Sequence, residues 1–126
     1  MAEHESKKDA PRLLVVDDET NIRIALNAWF TMHGFEVDQA SDGLEAVKKC
    51  EENEYDVITM DMEMPGMKGA DATALIRGIY PEIPIVVLTG FAHHASHALE
   101  NGASMILTKP IRLKELEQHV RALLAD

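Results

Sequence analysis

The chain has 126 residues, 46% of them hydrophobic and 27% charged, and a formal charge of −10 at pH 7. This length suits one compact domain, and the composition excludes a disordered chain. The acidic balance argues against non-specific nucleic-acid binding, because phosphates repel an acidic surface, and favours basic or mixed-charge partners. The lone cysteine, Cys50, precludes an internal disulfide and fits a reducing cytosol. No apolar run approaches the roughly 20 residues of a membrane span. The polar start, Met1 to Asp9, lacks the apolar core of a secretion signal.

Residues 1–10 read as a polar lead-in, ahead of one domain over 11–126. Leu13-Leu14-Val15-Val16 is an unbroken apolar run that stops at Asp17-Asp18-Glu19, as a strand buried on both faces would. Asp18 to Asn21 stand where a helix cap is needed. Ile22, Leu26, Trp29 and Phe30 then recur at helical spacing until His33-Gly34. Phe35 to Asp38 alternates like an edge strand, and Ser41-Asp42-Gly43 leads into a helix carrying Leu44, Val47 and Lys48. That helix fades in the solvated acidic stretch Glu51 to Glu54.

The alternation continues. Tyr55 to Met60 predicts a third buried strand ending at Asp61, and Met64-Pro65-Gly66 a loop. Ala70 to Ile79 is a helix with Ala74, Leu75 and Ile79 apolar, and Ile85 to Leu88 is a fourth buried strand ending at Thr89-Gly90. Residues 92–101 form a weaker helix. Met105 to Leu107 is a fifth strand ending at Thr108-Lys109-Pro110. Arg112 to Leu124 is an amphipathic helix with Leu113, Leu116, Val120, Leu123 and Leu124 on one side. Five strand–helix alternations argue for an open α/β sheet.

Four apolar strands thus end in polar residues: Asp17-Asp18, Asp61, Thr89 and Lys109. Ligands of open parallel sheets bind outside the carboxyl ends of the strands, where strand order reverses. If the first and third strands are neighbours, Asp17, Asp18 and Asp61 converge. Three carboxylates repel one another, so one takes a proton or a cation compensates. Hard oxygen ligands favour Mg2+ over zinc. A metal beside Asp61, with Lys109 as a second positive charge and Thr89 as a hydroxyl donor, suits an incoming phosphoryl group.

Taken together, Val15-Val16-Asp17-Asp18-Glu19, Asp61-Met62-Glu63-Met64-Pro65-Gly66, Leu88-Thr89-Gly90, Gly102-Ala103 and Thr108-Lys109-Pro110 resemble the receiver domains of two-component response regulators. The resemblance covers residues 11–125. It implies a flavodoxin-like (βα)5 three-layer sandwich with strand order 2-1-3-4-5. It implies that Asp61 accepts a phosphoryl group from a phosphohistidine on a sensor histidine kinase or histidine phosphotransfer protein. Mg2+ would be held by Asp18, Asp61 and the backbone carbonyl of Glu63, with Asp17 acting mainly through a water. Thr89 and Lys109 would hold the phosphoryl oxygens, and the Lys109-Pro110 bond would be cis. Such a domain catalyses only its own phosphorylation and dephosphorylation. The surface over 92–124 would be the partner face and the face of a homodimer. Two positions depart from the commoner pattern. Ile106 stands where Tyr or Phe is common, which counts against a switch that turns an aromatic ring inward behind Thr89. Glu63 adds a carboxyl group at the pocket rim, and Glu63 and Phe91 are expected to tune the lifetime of the phosphoryl group.

Other readings are weaker. His93 and His97 share a helix face, but no further ligand follows at suitable spacing, so surface or partner-contacting histidines are expected. Met60, Met62, Met64 and Met67 suit core and loop gaps near Asp61. A phosphatase resembling haloacid dehalogenases would carry aspartate where Glu63 stands. A flavodoxin-like electron carrier would not place Asp17-Asp18-Glu19 against a flavin phosphate. The chain stops after its last helix, so its output is expected to be altered partner binding. The sequence leaves open a stand-alone regulator or part of a longer one.

Overall fold

The computed structural model describes residues 10–91 and 95–125. Strands and helices alternate as β1 (Arg12–Val16), α1 (Thr20–Met32), β2 (Glu36–Ala40), α2 (Gly43–Glu52), β3 (Val57–Asp61), α3 (Gly69–Ile79), β4 (Ile85–Thr89), α4 (Ala95–Glu100), β5 (Met105–Thr108) and α5 (Leu113–Ala125). All strand pairs are parallel, in the order β2-β1-β3-β4-β5. This is the expected flavodoxin-like (βα)5 sandwich.

The period of two along each strand builds two cores. Leu13 and Val15 of β1 pack on one face with Leu26 and Phe30 of α1 and Leu116 and Val120 of α5. Leu14 and Val16 pack on the other with Ala46 and Cys50 of α2, Ala72 and Ile76 of α3, and Ala98 of α4. β3 and β4 are buried along their whole length, as the continuous apolar runs anticipate. Met60, Met62 and Met64 are buried, and Met67 packs against the same core. The face that α5 turns inward is the one its spacing predicts. No helix among the described residues is long and apolar enough to cross a membrane.

Three local expectations are corrected. α1 begins after Glu19, which makes no side-chain capping bond; the Glu19 amide donates instead to Asp17 Oδ1 at 2.9 Å. In α2 the apolar Leu44 is exposed, because the helix buries Gly43, Ala46 and Cys50. In α3, Ala74, Leu75 and Ile79 all face outward, while Ala72, Thr73 and Ile76 face the core. The helix carries two apolar stripes. The one with small residues faces inward because α3 must approach the end of β3 closely.

The orientation of α3 yields a direct comparison. Ile76→Ala should lower stability by about 2–5 kcal/mol, and Leu75→Ala by about 0.5 kcal/mol or less. Urea unfolding followed by Trp29 fluorescence measures both. Equal losses would place the wrong stripe in the core.

Candidate functional site

β1 and β3 run in register with Val16 opposite Met60, so the next residue on each strand, Asp17 and Asp61, meets its counterpart at the carboxyl edge. Thr89 ends β4 opposite Thr108 of β5, and the Lys109 amide donates to the Thr89 carbonyl at 2.7 Å. The 2-1-3-4-5 order therefore gathers residues from distant parts of the chain. The carboxylates of Asp17, Asp18 and Asp61 each place an oxygen within 4.8 Å of the others. Asp17 and Asp61 are each 1% exposed and form the floor of the cleft; Asp18 is exposed at its opening. The Lys109-Pro110 peptide bond is cis, as the resemblance implied.

Lys109 is the cation of this group. Its Nζ donates to Asp61 Oδ1 at 2.8 Å and lies 3.8 Å from Asp17 Oδ2. The Glu63 amide also donates to Asp61 Oδ1, at 3.1 Å. Both hydrogen bonds to the Asp61 carboxylate among the described residues thus end on one oxygen, leaving Oδ2 to act. Asp17 Oδ1 takes the Glu19 amide, but its Oδ2 is buried without a hydrogen-bond partner. Arg23 Nη1 donates to the Asp17 carbonyl at 2.7 Å and steadies the β1 end from α1.

One lysine does not balance two buried carboxylates. Burial raises the Asp61 carboxyl to about 6, with the Asp17 charge adding to the rise and the Lys109 and Glu63 hydrogen bonds opposing it. Burial likewise raises Asp17, against the Glu19 amide and Lys109. Burial works to lower Lys109, but the Asp61 bond and the charges of Asp61, Asp17 and Glu63 outweigh it and raise it. The cleft is thus short of positive charge.

The Glu63 side chain does not join the three aspartates. Its Oε2 accepts from the Thr89 hydroxyl at 2.5 Å and its Oε1 from the Gly90 amide at 2.9 Å. The Thr89 hydroxyl oxygen also accepts from the Phe91 amide at 3.0 Å. Sequence reasoning named Glu63 and Thr89 but not this bond between them, and it gave Gly90 no hydrogen-bonding role. Ile106 is half-buried and packs against the core. Residues 92–94 lie outside the described residues, so the expectation for His93 goes with them; His97 is exposed and 3.9 Å from Glu100.

Gly69 is a positioning residue that spacing did not reveal. A Cβ added there would lie 2.3 Å from the Asp61 carbonyl oxygen and 2.9 Å from Met62 Cα. Only glycine lets the start of α3 lie against the backbone that carries Asp61. The Thr73 hydroxyl donates to the Gly69 carbonyl at 2.8 Å and holds that first turn.

A flavodoxin-like sheet with an acidic, lysine-edged cleft at its switch point defines a class of phosphate-handling signalling domains. Residues 13–121 match the response regulator receiver domain family, and the chain belongs to it. Receiver domains are the phosphoacceptor signalling modules of two-component systems. The chain is 37% identical over 117 residues to the transcriptional regulatory protein PrrA of Mycobacterium tuberculosis, an alignment covering 91% of this chain and 50% of that protein. It spans about half the length of the curated relatives it matches. Among solved structures it resembles the response regulator TrrA of Thermotoga maritima in complex with Mg2+-BeF, with TM-score 0.83 and 36% identity over 90% of this chain and 98% of that one. It also resembles the chemotaxis protein CheY4 of Vibrio cholerae, with TM-score 0.85 and 30% identity over 90% and 98% of the two chains.

Two glycines of α3 should respond oppositely to a methyl group. Gly69→Ala should destabilise by about 1–3 kcal/mol through overpacking against Asp61. Gly78→Ala has nothing within 4 Å and should stabilise by about 0.5–1 kcal/mol through helix propensity. Chemical unfolding of both variants is the check; an unperturbed Gly69→Ala would remove the close approach as a constraint on Asp61.

Proposed function

We propose that this chain is the phosphoacceptor module of a phosphorelay, taking a phosphoryl group on Asp61 from a phosphohistidine of a sensor histidine kinase or histidine phosphotransfer protein. The observation that carries this reading is the charge deficit at the cleft floor: Asp17 and Asp61 are buried together with Lys109 as their shared cation.

Mg2+ fits this deficit. The donors are hard carboxylate oxygens, and the buried Asp17 Oδ2 has no hydrogen-bond partner and only Lys109, at 3.8 Å, as a counter-charge. Asp18, Asp61 and the Glu63 carbonyl would hold the ion, with Asp17 acting mainly at one remove. Bound Mg2+ would neutralise the surplus carboxylate charge and the charge on incoming phosphoryl oxygens.

The protein's own groups account for the rest. Lys109 and the Glu63 amide hold Asp61 Oδ1 and so orient the carboxylate. Oδ2 forms the new P–O bond as the donor's P–N bond breaks, and the electron pair leaves on the imidazole nitrogen. Lys109 Nζ and the Thr89 hydroxyl then bind phosphoryl oxygens. The domain turns over no separate substrate beyond its own phosphorylation and dephosphorylation. Its output is a changed binding surface over 92–124, which also serves any homodimer, and its setting is the cytoplasm, without direct nucleic-acid or membrane contact.

Incubation with Mg2+ and acetyl phosphate, read by intact mass, tests the reading. The parent should gain the mass of one phosphoryl group, and Asp61→Asn none. Equal gain in both, or gain in neither, would overturn the assignment of Asp61.

A further inference from the structure

The neighbouring carboxyl ends of β4 and β5 carry three donors: the Thr89 hydroxyl, the Gly90 amide and Lys109 Nζ. Such a set is a seat for an anion. Lys109 Nζ is engaged by Asp61 Oδ1 at 2.8 Å, and the other two donors are held by Glu63. The Glu63 carboxylate takes one with each oxygen, Thr89 on Oε2 at 2.5 Å and Gly90 on Oε1 at 2.9 Å. The Thr89 hydroxyl has a single proton to give. Among the described residues its acceptors are Glu63 Oε2 and, at 3.2 Å, the Phe91 carbonyl, and the shorter contact is to the charged group. The charge of Glu63 also reaches Lys109, whose affinity for its proton it increases. Glu63 thus extends from the loop after β3, two residues beyond Asp61, into the seat at the end of β4.

We propose that the Glu63 carboxylate is a resident competitor of the phosphoryl group: it holds Thr89 and Gly90 in the unmodified domain and is displaced when Asp61 is modified. This rests on Asp61 being the phosphoacceptor and Thr89 a phosphoryl-oxygen donor. The Thr89 proton cannot serve both anions at once. Modification therefore transfers that proton from a carboxylate to a phosphoryl oxygen as its hydrogen-bond acceptor, and releases the Glu63 arm. Release of Glu63 couples the chemistry at β3 to the end of β4 without an aromatic side chain at position 106. Glu63 is a positioning residue: it acts on the phosphoryl group through the donors it occupies.

The test is the affinity for beryllofluoride, a phosphoryl mimic, in the presence of Mg2+, for the folded parent, Glu63→Ala, Glu63→Asp and Asp61→Asn. Amide NMR spectra report binding, folding and the state of the Gly90 amide together. The parent should bind and Asp61→Asn should not. Glu63→Ala should bind on the order of tenfold more tightly, the equivalent of one charge-assisted hydrogen bond that no longer has to be broken. Glu63→Asp keeps the charge but is one methylene too short to hold both donors, so it should also bind more tightly than the parent. In the parent, beryllofluoride should move the Gly90 amide resonance; in Glu63→Ala, that resonance should already be displaced before addition. A parent that does not bind would overturn the phosphoacceptor reading and this inference with it. A parent that binds, with Glu63→Ala no tighter, would overturn the competitor alone. Tighter binding by Glu63→Ala but not by Glu63→Asp would reduce Glu63 to a repelling charge and likewise overturn it.

Discussion

Two carboxylates buried side by side, with a single lysine between them, are the constraint on which this domain turns. Asp17 and Asp61 sit at the ends of neighbouring parallel strands, and Lys109 reaches both from a third. Burial raises both carboxyl groups and so opposes the charge they would otherwise carry. A folded domain tolerates this because each charge is partly met: Asp17 by the Glu19 amide, Asp61 by the Glu63 amide and Lys109. What is left unmet is positive charge. The proposed Mg2+ would meet that same deficit and offset the charge of the proposed phosphoryl group.

The rest of the fold holds that arrangement in place. The sheet sets the spacing, because parallel register brings strand ends together irrespective of sequence distance. α1 steadies Asp17 through Arg23, and α3 presses against the Asp61 backbone at Gly69, where no side chain fits. On the other side Glu63 ties the loop after β3 to Thr89 and Gly90. The loop that follows Asp61 is thus tied directly to the end of β4. Ile106 stays half-buried in the core, in keeping with a tie that needs no ring rotation.

Much of this is legible in the sequence. The apolar runs Leu13 to Val16, Val57 to Met60 and Ile85 to Leu88 mark central strands by their composition, and the polar residues that end them mark the site by position. α1 and α5 bury the faces their spacing predicts because each carries one apolar stripe. α3 carries two, and periodicity alone does not choose between Ala72-Thr73-Ile76 and Ala74-Leu75-Ile79; the choice is made by the close approach of Gly69 to β3. Asp18 to Asn21 stand where a cap is expected, yet the residue before α1 is Glu19, whose side chain makes no capping bond. The Glu63–Thr89 bond joins residues 26 apart in sequence and has no local signature. The curated relatives are about twice the length of this chain.

The most direct test of the charge deficit is calorimetric titration of Mg2+ into the parent and Asp17→Asn at neutral pH. The account predicts one saturable site in the parent, weakened by about 10–100-fold in the variant, as expected when an outer carboxylate is lost. Equal affinity in the two proteins, or no binding to the parent, would contradict it.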